Sequence, residues 1–247
     1  DYRGGGRSSG RETIGRVAAG AVASKILNEM GIRLLTYTKS IGPVSIDENR
    51  FNEREISANP LYMPDASAAA AAQEYLNQCM ADQDSSGGIV ECVITGMPAG
   101  IGETVFDKLD SSLAKAVFSI GAVKGFEIGS GFEAASMKGS ENNDAFITEN
   151  GRIAKATNHA GGILGGMSDG SPIVFRPAIK PTPSIARPQH TVKRDGTPVE
   201  ISIKGRHDPI IVPRAVVVVE SMAALTILDL LMLNMSARIE NLENFYE

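Results

Sequence analysis

Apolar residues recur at Ile14, Val17, Ala18, Ala21, Val22 and Leu27, the spacing of one helical face. Just before them stands Ser9-Gly10-Arg11-Glu12, a hydroxyl followed three residues later by a carboxylate, which is a capping-box pattern. The spacing therefore predicts a helix whose N-terminus is fed by the glycine-rich leader Gly4-Gly5-Gly6. Residues 32–38 read as a strand. Residues 65–80, opened by an alanine run, read as a second helix. In 88–95, Ile89, Val90, Val93 and Ile94 supply the β-branched bulk of a strand. A helix is predicted over 102–118 and a short strand over 124–128. The polar stretch 136–158, with Glu141-Asn142-Asn143-Asp144, reads as a mobile excursion with one short hairpin. A strand follows at 173–179, then a hairpin over 191–204 around Asp195-Gly196. Residues 214–244 read as one long terminal helix.

Strands and helices alternate without a βαβ rhythm, so the pattern predicts an α+β fold rather than a doubly wound sheet. A length of 247 residues with 43% hydrophobic content suits a single domain over 1–247 with a sizeable core. The apolar run 215–235 contains Glu220 and Asp229, charges that argue for a buried helix and against a membrane span. A net charge of -5 argues against nucleic acid as a partner. The two cysteines, Cys79 and Cys92, lack metal-ligand spacing and only three histidines are present. No metal site is expected, and the cysteine usage fits a reducing cytoplasm.

The chemistry concentrates in a few places. Asn158-His159-Ala160-Gly161-Gly162-Ile163-Leu164-Gly165-Gly166-Met167-Ser168-Asp169-Gly170 removes side chains where a backbone approaches something flat or charged. Lys180-Pro181-Thr182-Pro183-Ser184 and Lys204-Gly205-Arg206-His207-Asp208-Pro209 then bring cations, hydroxyls and an acid. Arg3, Arg7, Arg11 and Arg16 crowd the first sixteen positions. Together these are the inventory for holding an anion and moving a proton beside it. Each has a plainer reading: a basic arm, a tight turn, an extended linker, an Asp-Pro turn. No Gly-x-Gly group follows a strand and opens a helix as a Rossmann fingerprint requires.

These motifs, with Arg3-Gly4-Gly5-Gly6-Arg7-Ser8-Ser9-Gly10-Arg11-Glu12-Thr13, Pro98-Ala99-Gly100-Ile101-Gly102 and Val123-Lys124-Gly125-Phe126-Glu127-Ile128-Gly129, resemble chorismate synthase in the family order. The resemblance implies a β-α-β sandwich of helices between antiparallel sheets, and a cytoplasmic homotetramer. It implies a 1,4-elimination of phosphate from 5-enolpyruvylshikimate 3-phosphate in the shikimate pathway, with reduced FMN as cofactor and NADPH as an external reductant. FMN contacts are implied at Arg7, Ser8, Ser9, Gly121, Ala122, Gly165, Lys180, Pro181, Thr182, Pro183, Ser184 and Arg206. Gly121 stands where the family has Asn, which leaves a backbone contact there. Arg11 is implied to bind the substrate anion, and Asp208 to relay the proton of flavin N5. The family's Gly-Glu-Ser-His-Gly and His-Ala-Asp-Tyr motifs are not in these 247 residues. The chain is therefore expected to be the C-terminal two-thirds of the family sequence, with the family's catalytic histidines outside it. Two other classes fit the same residues: a non-catalytic flavin- or anion-binding fragment, and an oligomerisation scaffold built on the last helix.

Overall fold

The computed structural model describes residues 6–149, 151–203, 205 and 208–246. In chain order the elements are α1 (Thr13–Glu29), β1 (Arg33–Ile41), β2 (Val44–Ser45), α2 (Glu53–Ala58), α3 (Ala66–Ala81), β3 (Gly88–Thr95), α4 (Leu109–Phe118) and β4 (Val123–Ile128). There follow α5 (Gly139–Asn142), β5 (Phe146–Glu149), β6 (Arg152–Lys155), β7 (Ile163–Leu164), β8 (Met167–Ser168), β9 (Ile173–Ile179), β10 (Gln189–Val192), β11 (Pro198–Ile201), α6 (Val212–Met235) and α7 (Ile239–Tyr246). A five-stranded sheet has the order β2-β1-β3-β9-β4, and β5–β6, β7–β8 and β10–β11 are antiparallel hairpins. The fold is α+β, as the pattern predicted.

The chain divides into two compact units. One comprises Asp1–Thr36, Glu91–Pro177 and Val217–Glu247; the other Tyr37–Val90 and Ala178–Val216. In the first, Leu109, Leu113 and Val117 bury one face of α4 at i, i+4, i+8 spacing. Phe175 is fully buried and stacks on Phe126 at 5.2 Å, and Phe126 in turn faces Phe118 at 6.5 Å. Cys92 and Ile94 of β3 and Ile227 of α6 are fully buried in the same unit. In the second unit, Ala72 and Leu76 of α3 are buried with Ile41, Met63 and Val90, and Tyr37 meets Phe51 edge-on at 5.1 Å.

Asp65 shows how the second unit starts α3. Its buried carboxylate accepts from the N–H groups of Ser67 (3.0 Å) and Ala68 (3.2 Å), an N-cap, and from Asp47 N–H at 3.1 Å. The Arg50 guanidinium reaches it at 2.8 Å. Arg50, then the amide donors, hold the Asp65 carboxyl well below the usual carboxylate range against the upward push of burial.

Three expectations need correction. The helix predicted from residue 102 begins at Leu109, because the Leu109 N–H donates to Gly166 O (2.7 Å) and Glu103 N–H to Asp107 O (3.1 Å), closing 102–108 into a loop. The terminal helix begins at Val212 and is not continuous to 244. It stops at Met235 and restarts at Ile239, with the Ser236 hydroxyl bonding Leu233 O at the break. The capping box at Ser9 is half formed. Ser9 Oγ accepts from Arg11 N–H (3.3 Å) at the head of a 3-10 turn, Gly10–Glu12, but Glu12 turns forward to Arg16. Helix α6 is long and apolar enough to cross a membrane, and half of its most apolar stretch is buried inside the protein.

Candidate functional site

The residues assigned to the site from sequence divide between the two units. In the first unit, Arg7 and Ser8 lie exposed in a single 3-10 turn, Gly6–Ser8. Ser9 then caps the turn carrying Arg11, which runs directly into α1. The Thr13 hydroxyl closes this double turn on Gly10 O at 2.6 Å. Arg7 and Arg11 are exposed, and no carboxylate pairs with either among the described residues. Positive charge and hydroxyls thus face solvent at a helix start, where N–H groups and the dipole favour anions.

The segment after α4 carries Gly121 and Ala122. Gly121 is exposed, with open space where a Cβ would stand. Ala122 is one of three described non-glycine residues with positive φ, at 73°. That backbone region is costly for an L-residue, and such strain gathers at sites the surroundings hold in place.

The four glycines at 161–166 do different work. A Cβ on Gly161 would fall 2.4 Å from Gly129 N, and one on Gly162 2.6 Å from Pro172 O, so these two let backbones pass closely. Gly165 and Gly166, at φ 60° and 89°, form the two-residue turn of the β7–β8 hairpin, the conformation that favours glycine in both places. Gly166 is packed against Lys108, 2.6 Å from the position of a Cβ. Gly165 is exposed and faces open space. Of these four, only Gly165 therefore presents a bare backbone face to a ligand.

A polar network holds this loop. The buried Asp144 carboxylate accepts from the Thr157 hydroxyl (2.7 Å), His159 N–H (2.7 Å) and Ala160 N–H (3.0 Å). Burial pushes Asp144 up, but the Ala160, Thr157 and His159 donors outweigh it and its carboxyl is held below the usual range. His159 Nδ1 lies 3.1 Å from Asn142 O, a contact that ties its ring to the preceding loop. Lys155 pairs with Asp169 in a buried contact, and Asp169 also accepts from Ser171 N–H at 2.8 Å.

In the second unit, the Lys180 to Ser184 segment is fixed from below. The Ser85 hydroxyl donates to Thr182 O at 2.7 Å, and Gly87 lies so close that a Cβ there would meet Ile179 O at 2.4 Å and Pro181 N at 3.1 Å. Lys180, Pro181 and Pro183 are exposed. Thr182 Oγ1 is buried without a hydrogen-bond partner among the described residues. Ser184 and Asp208 line one cavity of 180 Å³, together with Asp84, Ser85 and Gly205. Asp208 also pairs with the exposed Arg214 at 2.7 Å. Arg206 and His207 lie outside the described residues.

Sequence reasoning counted Arg16 only as one of four N-terminal arginines and gave no role to Ser119 or Asp144. The first had a visible signal, since Glu12 and Arg16 stand at the i, i+4 spacing of helical ion pairs. The other two act through residues far away in sequence and left none.

On an α+β fold, the first unit thus presents a cation- and hydroxyl-bearing turn and a bare glycine face, and the second unit a proline-stiffened loop. The sequence profile of the chorismate synthase family matches residues 1–232. The chorismate synthase of Agathobacter rectalis is 65% identical over 247 residues, which is 100% of this chain and 67% of that protein. That of Lachnoclostridium phytofermentans is 63% identical over 248 residues, 100% and 68%. A chorismate synthase crystal structure superposes with a TM-score of 0.78 at 30% identity, covering 92% of this chain and 65% of that one. The chain belongs to the chorismate synthase family and spans about two thirds of the length of the relatives it matches.

Proposed function

We propose that this chain forms the flavin-holding part of a chorismate synthase, a lyase of aromatic amino-acid biosynthesis. Its substrate is 5-enolpyruvylshikimate 3-phosphate, which loses phosphate and a proton to give chorismate. The observation that carries the reading is the Thr182 hydroxyl, buried without a hydrogen-bond partner among the described residues in the segment that the family motif assigns to FMN. A buried hydroxyl without a partner costs about 1–3 kcal/mol, so its retention there fits a polar ligand group that completes it. The bare face of Gly165 accommodates a flat ring, and the exposed Arg7, Ser8 and Lys180 suit the cofactor's phosphate and polar edge.

Reduced FMN, when bound, supplies electron density to the departing carbon–oxygen bond, although the reaction has no net redox change. The protein's own part is to hold charge and exclude water. Arg11 binds an anionic group of the substrate. Asp208, half-buried beside Ser184 and oriented by its contact with Arg214, would hold the proton at flavin N5. NADPH serves as external reductant, and the enzyme works as a cytoplasmic homotetramer. Two buried free cysteines suit that reducing compartment.

The test is a titration of the full-length protein with reduced FMN, with and without 5-enolpyruvylshikimate 3-phosphate, followed by chorismate formation. Micromolar flavin binding tightened by substrate, with turnover, supports the reading. Flavin binding by the full-length protein without turnover favours the non-catalytic fragment reading, and absence of any flavin spectral change removes both.

A further inference from the structure

We propose that Arg16 is a positioning residue of the flavin site, a latch that sets the segment 7–11 against Gly121 and Ala122. This rests on the flavin reading above. The guanidinium uses separate edges for two jobs. Nε and NH2 form a fork on the Glu12 carboxylate, at 3.2 and 3.0 Å. NH1 donates to Ser119 Oγ at 2.6 Å and lies 3.9 Å from Met222 Sδ of α6.

Both partners are joined to residues assigned to the cofactor. Glu12 ends the 3-10 turn that carries Arg11 and that Ser9 caps. Ser119 is the C-cap of α4, two residues before Gly121 and three before the strained Ala122. The Ser119 hydroxyl donates to Ala116 O, which leaves its lone pairs directed at Arg16. One side chain thus spans positions 103 apart in sequence and ties the two ligand-facing segments of this unit together. A surface ion pair of the Glu12–Arg16 type contributes little to stability. Its value lies in the register it imposes, because a displacement of one ångström in a binding group can cost far more than the pair itself. Lysine, a single ammonium, cannot make the fork and reach Ser119 together.

The test uses full-length protein carrying Arg16→Lys, Arg16→Gln, Ser119→Ala and the Arg16→Gln/Ser119→Ala double variant. Two quantities are read: FMN affinity by flavin fluorescence well below the melting point, and the melting temperature without flavin. Residues sharing one network couple, so Arg16→Gln should weaken FMN roughly tenfold, Ser119→Ala roughly threefold, and the double variant no more than Arg16→Gln. Arg16→Lys should behave like Arg16→Gln, and the flavin-free melting temperature should move little. An unchanged FMN affinity in Arg16→Gln, additive losses, or a lowered melting temperature with affinity intact would each overturn the latch. Should Arg16→Gln fail to fold, Ser119→Ala alone decides by the same criterion. Ser8→Ala and Lys180→Ala separate the two levels of inference. If they weaken FMN while the Arg16 variants do not, the flavin site stands and the latch falls. If the parent protein binds no FMN, both fall.

Discussion

Helix α1 contains two glycines for which one substitution should have opposite signs. Gly15 is exposed, and a Cβ there would meet nothing within 4 Å. Gly20 is buried, and its Cβ would fall 2.3 Å from Ser221 Cβ and 2.6 Å from Ser221 Cα. Alanine gains about 0.5–1 kcal/mol over glycine inside a helix by reducing the freedom of the unfolded chain. At Gly15 nothing opposes that gain, so Gly15→Ala should stabilise by the full ~0.5–1 kcal/mol. At Gly20 the colliding atoms are Ser221 Cβ and the backbone Cα it is fixed to, in a second helix, and these cannot swing aside as a side-chain tip could. Overpacking of that kind costs about 1–3 kcal/mol and should act near its upper end here. The net expectation for Gly20→Ala is a loss of about 2 kcal/mol once the helix gain is subtracted. Urea unfolding of full-length protein followed by circular dichroism measures both variants. They should differ by about 3 kcal/mol, or roughly 6–12 °C in melting temperature at about 2–4 °C per kcal/mol. A Gly20→Ala protein as stable as Gly15→Ala would refute the close approach of α1 and α6.

Asp65→Asn removes the charge that Arg50 and the α3 cap share, and should cost about 2–3 kcal/mol at pH 7. Because the folded Asp65 carboxyl is depressed, its contribution is full above the ordinary value of about 3.9 and is lost as pH falls toward the folded one. The gap between parent and variant should therefore narrow in unfolding curves below about pH 4. Glu220 behaves in the opposite way: burial pushes its carboxyl up, and neighbouring Thr36 offsets this only in part. Its folded state favours the proton, so stability is lost as pH rises above the ordinary glutamate value of about 4.3. Glu220→Gln should accordingly melt higher than the parent at pH 8 and at the same temperature near pH 4. Asp208→Asn keeps the shape and the contact with Arg214 but cannot hold a second proton state, so turnover should fall about 10²-fold with KM nearly unchanged. Near-normal turnover would reduce Asp208 to a turn residue before Pro209.

The elements read correctly from sequence are those whose signal is local. Strands 88–95 and 173–179 emerge with the predicted bounds, because alternating burial along β9 is the period-2 pattern itself. The hairpin at Asp195-Gly196 forms because Asp195 Oδ1 accepts from Thr197 N–H at 2.9 Å, a bond contained within the turn. The misread elements depend on distant partners. Nothing within residues 102–108 reveals that Gly166 O will take the Leu109 amide and delay the helix. The break after Met235 has no glycine or proline to announce it; a serine hydroxyl competing for a carbonyl is a weak signal in an otherwise apolar run.

The same division runs through the candidate site. Four arginines in sixteen positions look alike in sequence, and glycine pairs look alike too. Their roles separate only through neighbours. Arg16 is occupied on both sides by Glu12 and Ser119, whereas Arg7 and Arg11 keep their charge toward solvent. Gly161, Gly162 and Gly166 are closed by backbone or by Lys108, and Gly165 alone is open. Residue type alone thus does not sort the members of the proposed anion site; packing decides which of them stay open to a ligand. A cation already held by a carboxylate and a hydroxyl is better suited to orienting its neighbours than to binding. That argument makes Arg11 and Arg7 the ligand-facing pair, and it predicts that replacing either should weaken binding without the coupling to Ser119 expected of Arg16.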